Sequence, residues 1–257
     1  MKLIVCAIAK YEDNYIRDFC NYHLNLGFDE IHVYDNSSES QLSSILSDIP
    51  QVVIHPWVKQ KYIHSPQMDA YHDCIDNVEY DWCAFIDVDE FITLNGFTNI
   101  SDFLKTFNQD VQCIHLYEEI FGDGGKIIPD DISLPVYNRI LEPSKKYIFS
   151  YTKNIVKKDA IGKFKNPHLY DKDLPAVNSY GIDETGKFFR SSRKKIVDDK
   201  AYIRHYKTKT LSEFCDQKLN TPRVFDLTKK RTIDYFFLVN KKTPEKIAYL
   251  KSRGIEA

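Results

Sequence analysis

Residues Trp82-Cys83-Ala84-Phe85-Ile86-Asp87-Val88-Asp89-Glu90-Phe91-Ile92 bring three carboxylates to the end of an apolar run. The run reads as a buried strand in a sheet covered on both faces. In an extended chain residues i and i+2 point to one side, so Asp87 and Asp89 converge just past the strand end. Hard divalent cations such as Mg²⁺ and Mn²⁺ take oxygen ligands, commonly one or two carboxylates plus substrate phosphates. Ligands of open α/β sheets bind outside the carboxyl ends of the strands, where this pair sits. An acidic turn closing a core strand accounts for the same residues, and the rest of the chain has to decide between the two.

The flanking sequence supplies the elements that would position the pair. Residues 2–9 read as a buried strand. Tyr15, Ile16, Phe19, Tyr22 and Leu26 lie at helical spacing within Glu12–Leu26, and Gly27 is placed to end that helix. Asp29–Tyr34 is a second strand, closed by the turn-forming Asp35-Asn36-Ser37-Ser38. A short helix over Glu39–Leu46, a strand at Val52-Val53-Ile54, and a helix over Ser65–Val78 with Pro66 in its first turn follow. Alternating strands and helices specify a parallel sheet of right-handed βαβ units. No G-x-G-x-x-G and no G-x-x-x-x-G-K-[ST] occurs, so neither a dinucleotide fingerprint nor a P-loop is present.

Beyond the acidic turn, Ser101–Phe107 reads as a helix and Val111–Tyr117 as a strand. Phe121-Gly122-Asp123-Gly124-Gly125 is a glycine-rich break, either a tight turn or a mobile lid. Residues 133–205 lose the helical period and read as strands and loops. Helical patterns return at Leu211–Lys218, Ile233–Asn240 and Pro244–Lys251. No repeat and no low-complexity linker divides the chain.

At 257 residues and 43% hydrophobic content the chain can bury a sizeable core. Its net charge of −2 hides a polarity: residues 1–100 carry 5 Lys+Arg against 16 Asp+Glu, and residues 151–257 carry 25 against 13. The acidic half holds the carboxylate pair, and the basic half suits phosphates, an anionic acceptor or an anionic membrane surface as well as a solvated face. Six cysteines without C-x-x-C spacing, several inside apolar runs, fit reduced, buried thiols and a cytoplasmic protein. The segment Met1–Ala9 is too short for a signal h-region, and no uncharged run reaches membrane-spanning length.

Several stretches carry a resemblance when taken together: Ala9-Lys10-Tyr11-Glu12 with Tyr15-Ile16; Tyr22-His23-Leu24-Asn25-Leu26-Gly27; Val33 through Ser38; Gln67; Trp82 through Phe91; Phe121-Gly122; Lys153-Asn154-Ile155-Val156; and His205-Tyr206-Lys207-Thr208-Lys209 before Glu213-Phe214. In this order they resemble the GT-A glycosyltransferases, in the family-2-like group that overlaps family 92, over about Ala7 to Arg223. The chain departs from that pattern at Tyr11 (usually Asn), at Glu118 (usually Trp) and at Asp123 (usually Ser). The last two lie on the expected acceptor side.

The resemblance implies an α/β fold of GT-A (Rossmann-like) type, with a mostly parallel central sheet flanked by helices. Residues 1–210 would form the transferase domain, with 1–100 the nucleotide-sugar half and 101–210 the acceptor half, and 211–257 a C-terminal helical extension. It implies a metal-dependent, inverting transfer of a sugar from a UDP-sugar to a hydroxyl of a glycan or glycolipid in surface polysaccharide synthesis. Asp87 and Asp89 would hold Mn²⁺ or Mg²⁺, with His205 as a third ligand. Lys207 and Lys209 would contact the diphosphate. Ala9, Lys10, Glu12, Asp35, Asn36 and Gln67 would border the nucleoside, although Asp35-Asn36-Ser37 equally makes an Asx-turn. An acid near the acceptor hydroxyl would be the base: Asp123 first, Glu119 second, with His168 a further titratable group.

Two other classes share these residues. A sugar nucleotidyltransferase uses the same acidic pair but usually has a glycine-rich basic signature near the first strand, absent from Ala7-Ile8-Ala9-Lys10-Tyr11. A non-catalytic carbohydrate-binding module predicts no metal-dependent nucleotide binding. Nucleic acid is disfavoured by the acidic first hundred residues. Phe236, Phe237, Leu238 and Tyr249 among Lys241, Lys242, Lys246 and Lys251 suit either a helix on an anionic membrane or one packed on its own domain.

Overall fold

The computed structural model describes every residue except 147–149, 161, 172, 187–189, 192–195, 223–227 and 257. Arg223, where the resemblance ends, lies outside the described residues. The strands are β1 (Leu3–Ala9), β2 (Glu30–Asp35), β3 (Val52–Pro56), β4 (Trp82–Phe85), β5 (Glu90–Leu94), β6 (Cys113–Phe121), β7 (Ser150–Lys157), β8 (Ala176–Asn178), β9 (Arg190–Ser191) and β10 (Ala201–Tyr206). The helices are α1 (Ile16–Asn25), α2 (Leu42–Ile45), α3 (Pro66–Asn77), α4 (Ile100–Leu104), α5 (Val136–Arg139), α6 (Leu211–Glu213), α7 (Ile233–Val239) and α8 (Pro244–Ser252). A π-helical turn, Phe214–Lys218, continues α6.

Local chemistry sets the first elements. All seven residues of β1 are buried. Its odd positions (Leu3, Val5, Ala7, Ala9) pack with Ile16 and Phe19 of α1, and its even ones (Ile4, Cys6, Ile8) with Tyr71 and Cys74 of α3. Strand alternation thus builds one core on each face. Gly27 follows α1 at φ +101°, the left-handed conformation that glycine adopts without strain. The Ser65 side chain accepts from the Met68 N–H and Pro66 opens α3, so that the helix starts where the sequence places it.

The strand order is β3-β2-β1-β4-β7-β6-β10-β5, with β8 on β6 and β9 on β7. The run β3-β2-β1-β4 is parallel, β7 is antiparallel to both neighbours, β10 is parallel to β6, and β5 is antiparallel to β10. This is the expected mixed α/β architecture with a mostly parallel sheet. The apolar stretch around Trp82 differs from its reading as a single strand: it is two strands joined by residues 86–89. In the sheet β4 and β5 are four positions apart, about 19 Å if the sheet were flat. Five residue steps span at most about 17 Å. The acidic link therefore requires the sheet to curl, which brings the ends of β4, β6 and β10 together around Asp87 and Asp89.

The six cysteines are free and buried. In the C-terminal part, Phe236, Phe237 and Leu250 pack with Leu211, Phe214 and Cys215. The aromatic face that would have met a membrane is turned inward, leaving Leu238 exposed. No helix among the described residues is long and apolar enough to cross a membrane.

Candidate active site

A cavity of about 540 Å³ opens at the strand ends. Lys10 and Glu12 reach it from beyond β1, Gln67 from the first turn of α3, and Asp87 and Asp89 from the link after β4. Glu118 comes from β6, Tyr151 from β7, His168 from the loop after β7, and His205 and Lys207 from β10 and its end. Lys218, Arg231 and Tyr235 close the C-terminal side. Carboxylates and cations thus meet in one concavity although they are spread over more than 200 residues of chain.

Asp87 is one-third exposed; Gln67 Nε2 donates to its Oδ1 at 2.6 Å, and Lys153 Nζ lies 2.8 Å from its Oδ2. Lys153 is fully buried between Asp87 and Glu90, at 3.3 Å from the latter. Burial alone would discharge such a lysine, but the two acids outweigh it and hold its pKa well above the usual value. Asp89 is buried and paired with Lys218. Burial pushes its pKa up, yet Lys218, His205 and Lys209 together hold it far below the carboxylate range. The π-helical turn delivers Lys218, an irregularity frequent at functional sites.

His205 stands opposite Glu90 in the β10–β5 register. Its Nδ1 lies 2.9 Å from Glu118 Oε2 and 3.2 Å from Glu90 Oε1, and its Nε2 lies 3.5 Å from Asp89 Oδ1. Of the two buried acids, Glu90 is driven up chiefly by burial, while His205 and His168 overcome burial at Glu118 and keep it charged. Glu90, Glu118 and His205 offer donors within 4.8 Å of one another. In that grouping the acids already engage Nδ1, and Glu90 also faces Lys153 at 3.3 Å. The other side fits a divalent cation: an imidazole oriented through Nδ1 by a carboxylate presents Nε2 beside Asp89.

Other expected residues have different surroundings. Asp35 accepts from the Ser37 N–H at 3.0 Å and from the Ser40 hydroxyl, the Asx-turn arrangement. The Asn36 amide donates to Trp57 O at 2.9 Å and Tyr62 Oη at 2.7 Å, bracing the loop beside Lys10. Ala9 is buried at the end of β1. Lys209, at φ +55°, is not among the lining residues; it is buried behind Glu12 and Lys218 and puts its ammonium 3.9 Å from the Tyr15 ring centroid. Burial lowers its pKa there, opposed by Glu12. Glu12, also buried, is shifted up by burial against Lys209 and Lys218.

Neither first-choice base is among the residues lining the cavity. Asp123 is 4% exposed and paired with the buried Lys246, and its N–H donates to Asn240 Oδ1 at 2.7 Å. It joins the glycine-rich loop to the C-terminal helices. Gly122 permits this approach, since a Cβ there would strike Asn240 Oδ1. Glu119 pairs opposite Arg204 in β6 and, by strand alternation, faces away from Glu118. The inward acid is Glu118, one of the departures from the family pattern. Sequence reasoning gave no role to Glu118, Lys153, Lys218 or Arg231. Charged residues inside otherwise apolar strands, as at Glu118 and Lys153, are the signal that could have marked two of them.

The model of glycosyltransferase family 92 matches residues 2–243. This chain belongs to that family. Among curated relatives, a glycosyltransferase family 92 protein of Oryza sativa subsp. japonica is 23% identical over 228 residues, covering 84% of this chain and 35% of that protein. One of Ricinus communis is 25% identical over 112 residues, covering 40% of this chain and 19% of that protein. The family 92 chain thus spans about a third or less of the length of these relatives. Among solved structures, S. aureus TarS 1–349 overlaps 62% of this chain and 47% of its own at TM-score 0.40 and 14% identity. Mannosyl-3-phosphoglycerate synthase from Rubrobacter xylanophilus overlaps 62% and 53% at TM-score 0.38 and 12% identity.

Proposed function

We propose that this family 92 chain is a metal-dependent, inverting glycosyltransferase that moves a sugar from a UDP-sugar to a hydroxyl of a glycan or glycolipid. The convergence of Asp87, Asp89 and His205 with Lys10, Lys207, Lys218 and Arg231 in one cavity carries the reading. Asp89 and His205, with Asp87 beside them, are the residues that would hold Mn²⁺ or Mg²⁺. The bound ion would offset the charge of the departing diphosphate. Lys207 and Arg231 would add cationic contacts to the diphosphate, and Lys10 and Glu12 would border the nucleoside. Residues 1–100 would hold the donor and 101–210 the acceptor, with 211–257 closing the diphosphate side through Lys218 and Tyr235. The nucleotidyltransferase reading has no observation of its own here.

The test is UDP release from a panel of UDP-hexoses with Mn²⁺ and with EDTA. Metal-dependent release from at least one donor is expected, abolished in Asp89→Ala. Release that persists unchanged in EDTA contradicts the metal assignment, and no release from any donor contradicts the UDP-sugar reading.

A further inference from the structure

Glu118 holds two histidines with its two oxygens: His205 at 2.9 Å on Oε2 and His168 at 3.4 Å on Oε1. His205 belongs to the metal side. His168, third after Asp123 and Glu119 among the acceptor-side groups read from the sequence, lines the same cavity. Its Nδ1 lies 3.1 Å from the carbonyl oxygen of Thr152. A carbonyl only accepts, so Nδ1 carries a hydrogen, and in that tautomer Nε2 is the nitrogen left to take a proton. The residue is held at both its main chain and its ring. Thr152 Oγ1 donates to the His168 carbonyl at 2.9 Å, the His168 N–H donates to Asn166 Oδ1 at 2.9 Å, and the Tyr151 ring lies against it at 4.9 Å. These contacts hold one tautomer in one orientation, with a buried carboxylate behind it.

We infer that His168, oriented by Thr152 and with the buried Glu118 carboxyl group behind it, is the general base of the proposed transfer. The inference rests on the transferase reading and replaces Asp123 and Glu119 in that role. As the acceptor oxygen bonds to the sugar anomeric carbon, its proton passes to His168 Nε2. The bond from that carbon to the diphosphate oxygen breaks, and its electron pair leaves with UDP. The imidazolium so formed faces Glu118, which acts as a positioning and charge-stabilising residue at 3.4 Å while the hydrogen bond goes to Thr152. A single carboxylate bracing both the metal-side histidine and the base would couple donor and acceptor sides of the site.

The test uses the full chain, Mn²⁺, and a UDP-hexose that wild type turns over, with water standing in for the acceptor hydroxyl. Two readings are taken on wild type, His168→Ala, His168→Gly and Glu118→Gln: calorimetric UDP affinity with Mn²⁺, and the rate of UDP release. Both histidine variants are expected to bind UDP within about 3-fold of wild type and to release it about 100- to 10,000-fold more slowly. Added imidazole should restore part of the rate in at least one of them. Glu118→Gln should lower the rate by less than the histidine variants, without a change in KM. Release within about 3-fold of wild type in a histidine variant that still binds UDP overturns the inference. So does loss of UDP binding in both histidine variants, or a lost rate that imidazole restores in neither. If wild type itself neither binds UDP nor releases it, the transferase reading fails first, which is a distinct result.

Discussion

At the scale of single residues, the contrast between Glu118 and Asp123 shows what separates a site acid from a structural one. Both are buried carboxylates with basic side chains beside them. Glu118 meets two histidines at the cavity wall, whereas Asp123 meets Lys246 and the Asn240 amide between the glycine-rich loop and α8. Removing one charge of a buried pair leaves the other uncompensated and costs about 3–5 kcal/mol. Asp123→Asn should therefore lower unfolding stability by about that amount in urea titrations, while UDP affinity of the folded variant stays at the wild-type value. Unchanged stability with a lost transfer rate would instead restore Asp123 as a base. The position of Asp87 and Asp89 at the cavity was legible in sequence, because alternate residues after an apolar strand point to one side at the strand end. The choice between Glu118 and Glu119 was not, since adjacent strand residues face opposite ways and the register decides which one points inward.

At the scale of elements, the C-terminal helices are tied to the sheet by polar links. Glu213 opens α6 in a capping box with Thr210 and also receives Arg139 from α5 at 2.7 Å and the Tyr15 hydroxyl from the end preceding α1 at 3.2 Å. Burial would raise its pKa, but Arg139 and Thr210 bring it below the usual glutamate value. A carboxylate depressed in the folded state adds stability that is complete above the unfolded pKa, near 4.3, and disappears as pH falls through the folded value. Wild type should therefore lose urea resistance as pH drops from about 5 towards 3. Glu213→Gln should be weaker at pH 7 and lose less over the same interval. Parallel curves for the two proteins would contradict this role. Most helices were readable from their periodicity and caps: α6, α7 and α8 begin at the expected residues and α3 one residue later, whereas α1 begins four residues later than expected and the short α5 lies in a stretch read as strands and loops. The separate strand β5 was not, because Glu90–Leu94 continues the apolar run of β4 and only its pairing with β10 reveals the break.

At the scale of the whole molecule, the curled sheet turns a sequence-distant set of charges into one cavity. An acidic first hundred residues and a basic last hundred suggested complementary halves, and the structure gives that asymmetry a local form. Lys153, Lys207, Lys218 and Arg231, all from the basic half, stand around Asp87, Asp89 and Glu118. The members contributed by β1, β4 and β10 were legible, since each sits at a strand end where α/β sheets place ligands. Lys209 was misplaced because β10 ends at Tyr206, and the left-handed Lys209 breaks the two-residue alternation that would have set it beside Lys207. Lys218 and Arg231 depend on how the C-terminal segment folds back, a long-range outcome that no local pattern encodes.

In the proposed reading Asp89 and His205 would hold a divalent ion on which nucleotide binding depends. Calorimetric titration of UDP into the intact chain, with and without Mn²⁺, and into Asp89→Ala, tests it most directly. Binding with Mn²⁺, at least 10-fold weaker binding without it, and none in Asp89→Ala is the predicted result. UDP affinity that is the same with and without Mn²⁺, or unaltered by Asp89→Ala, would contradict it.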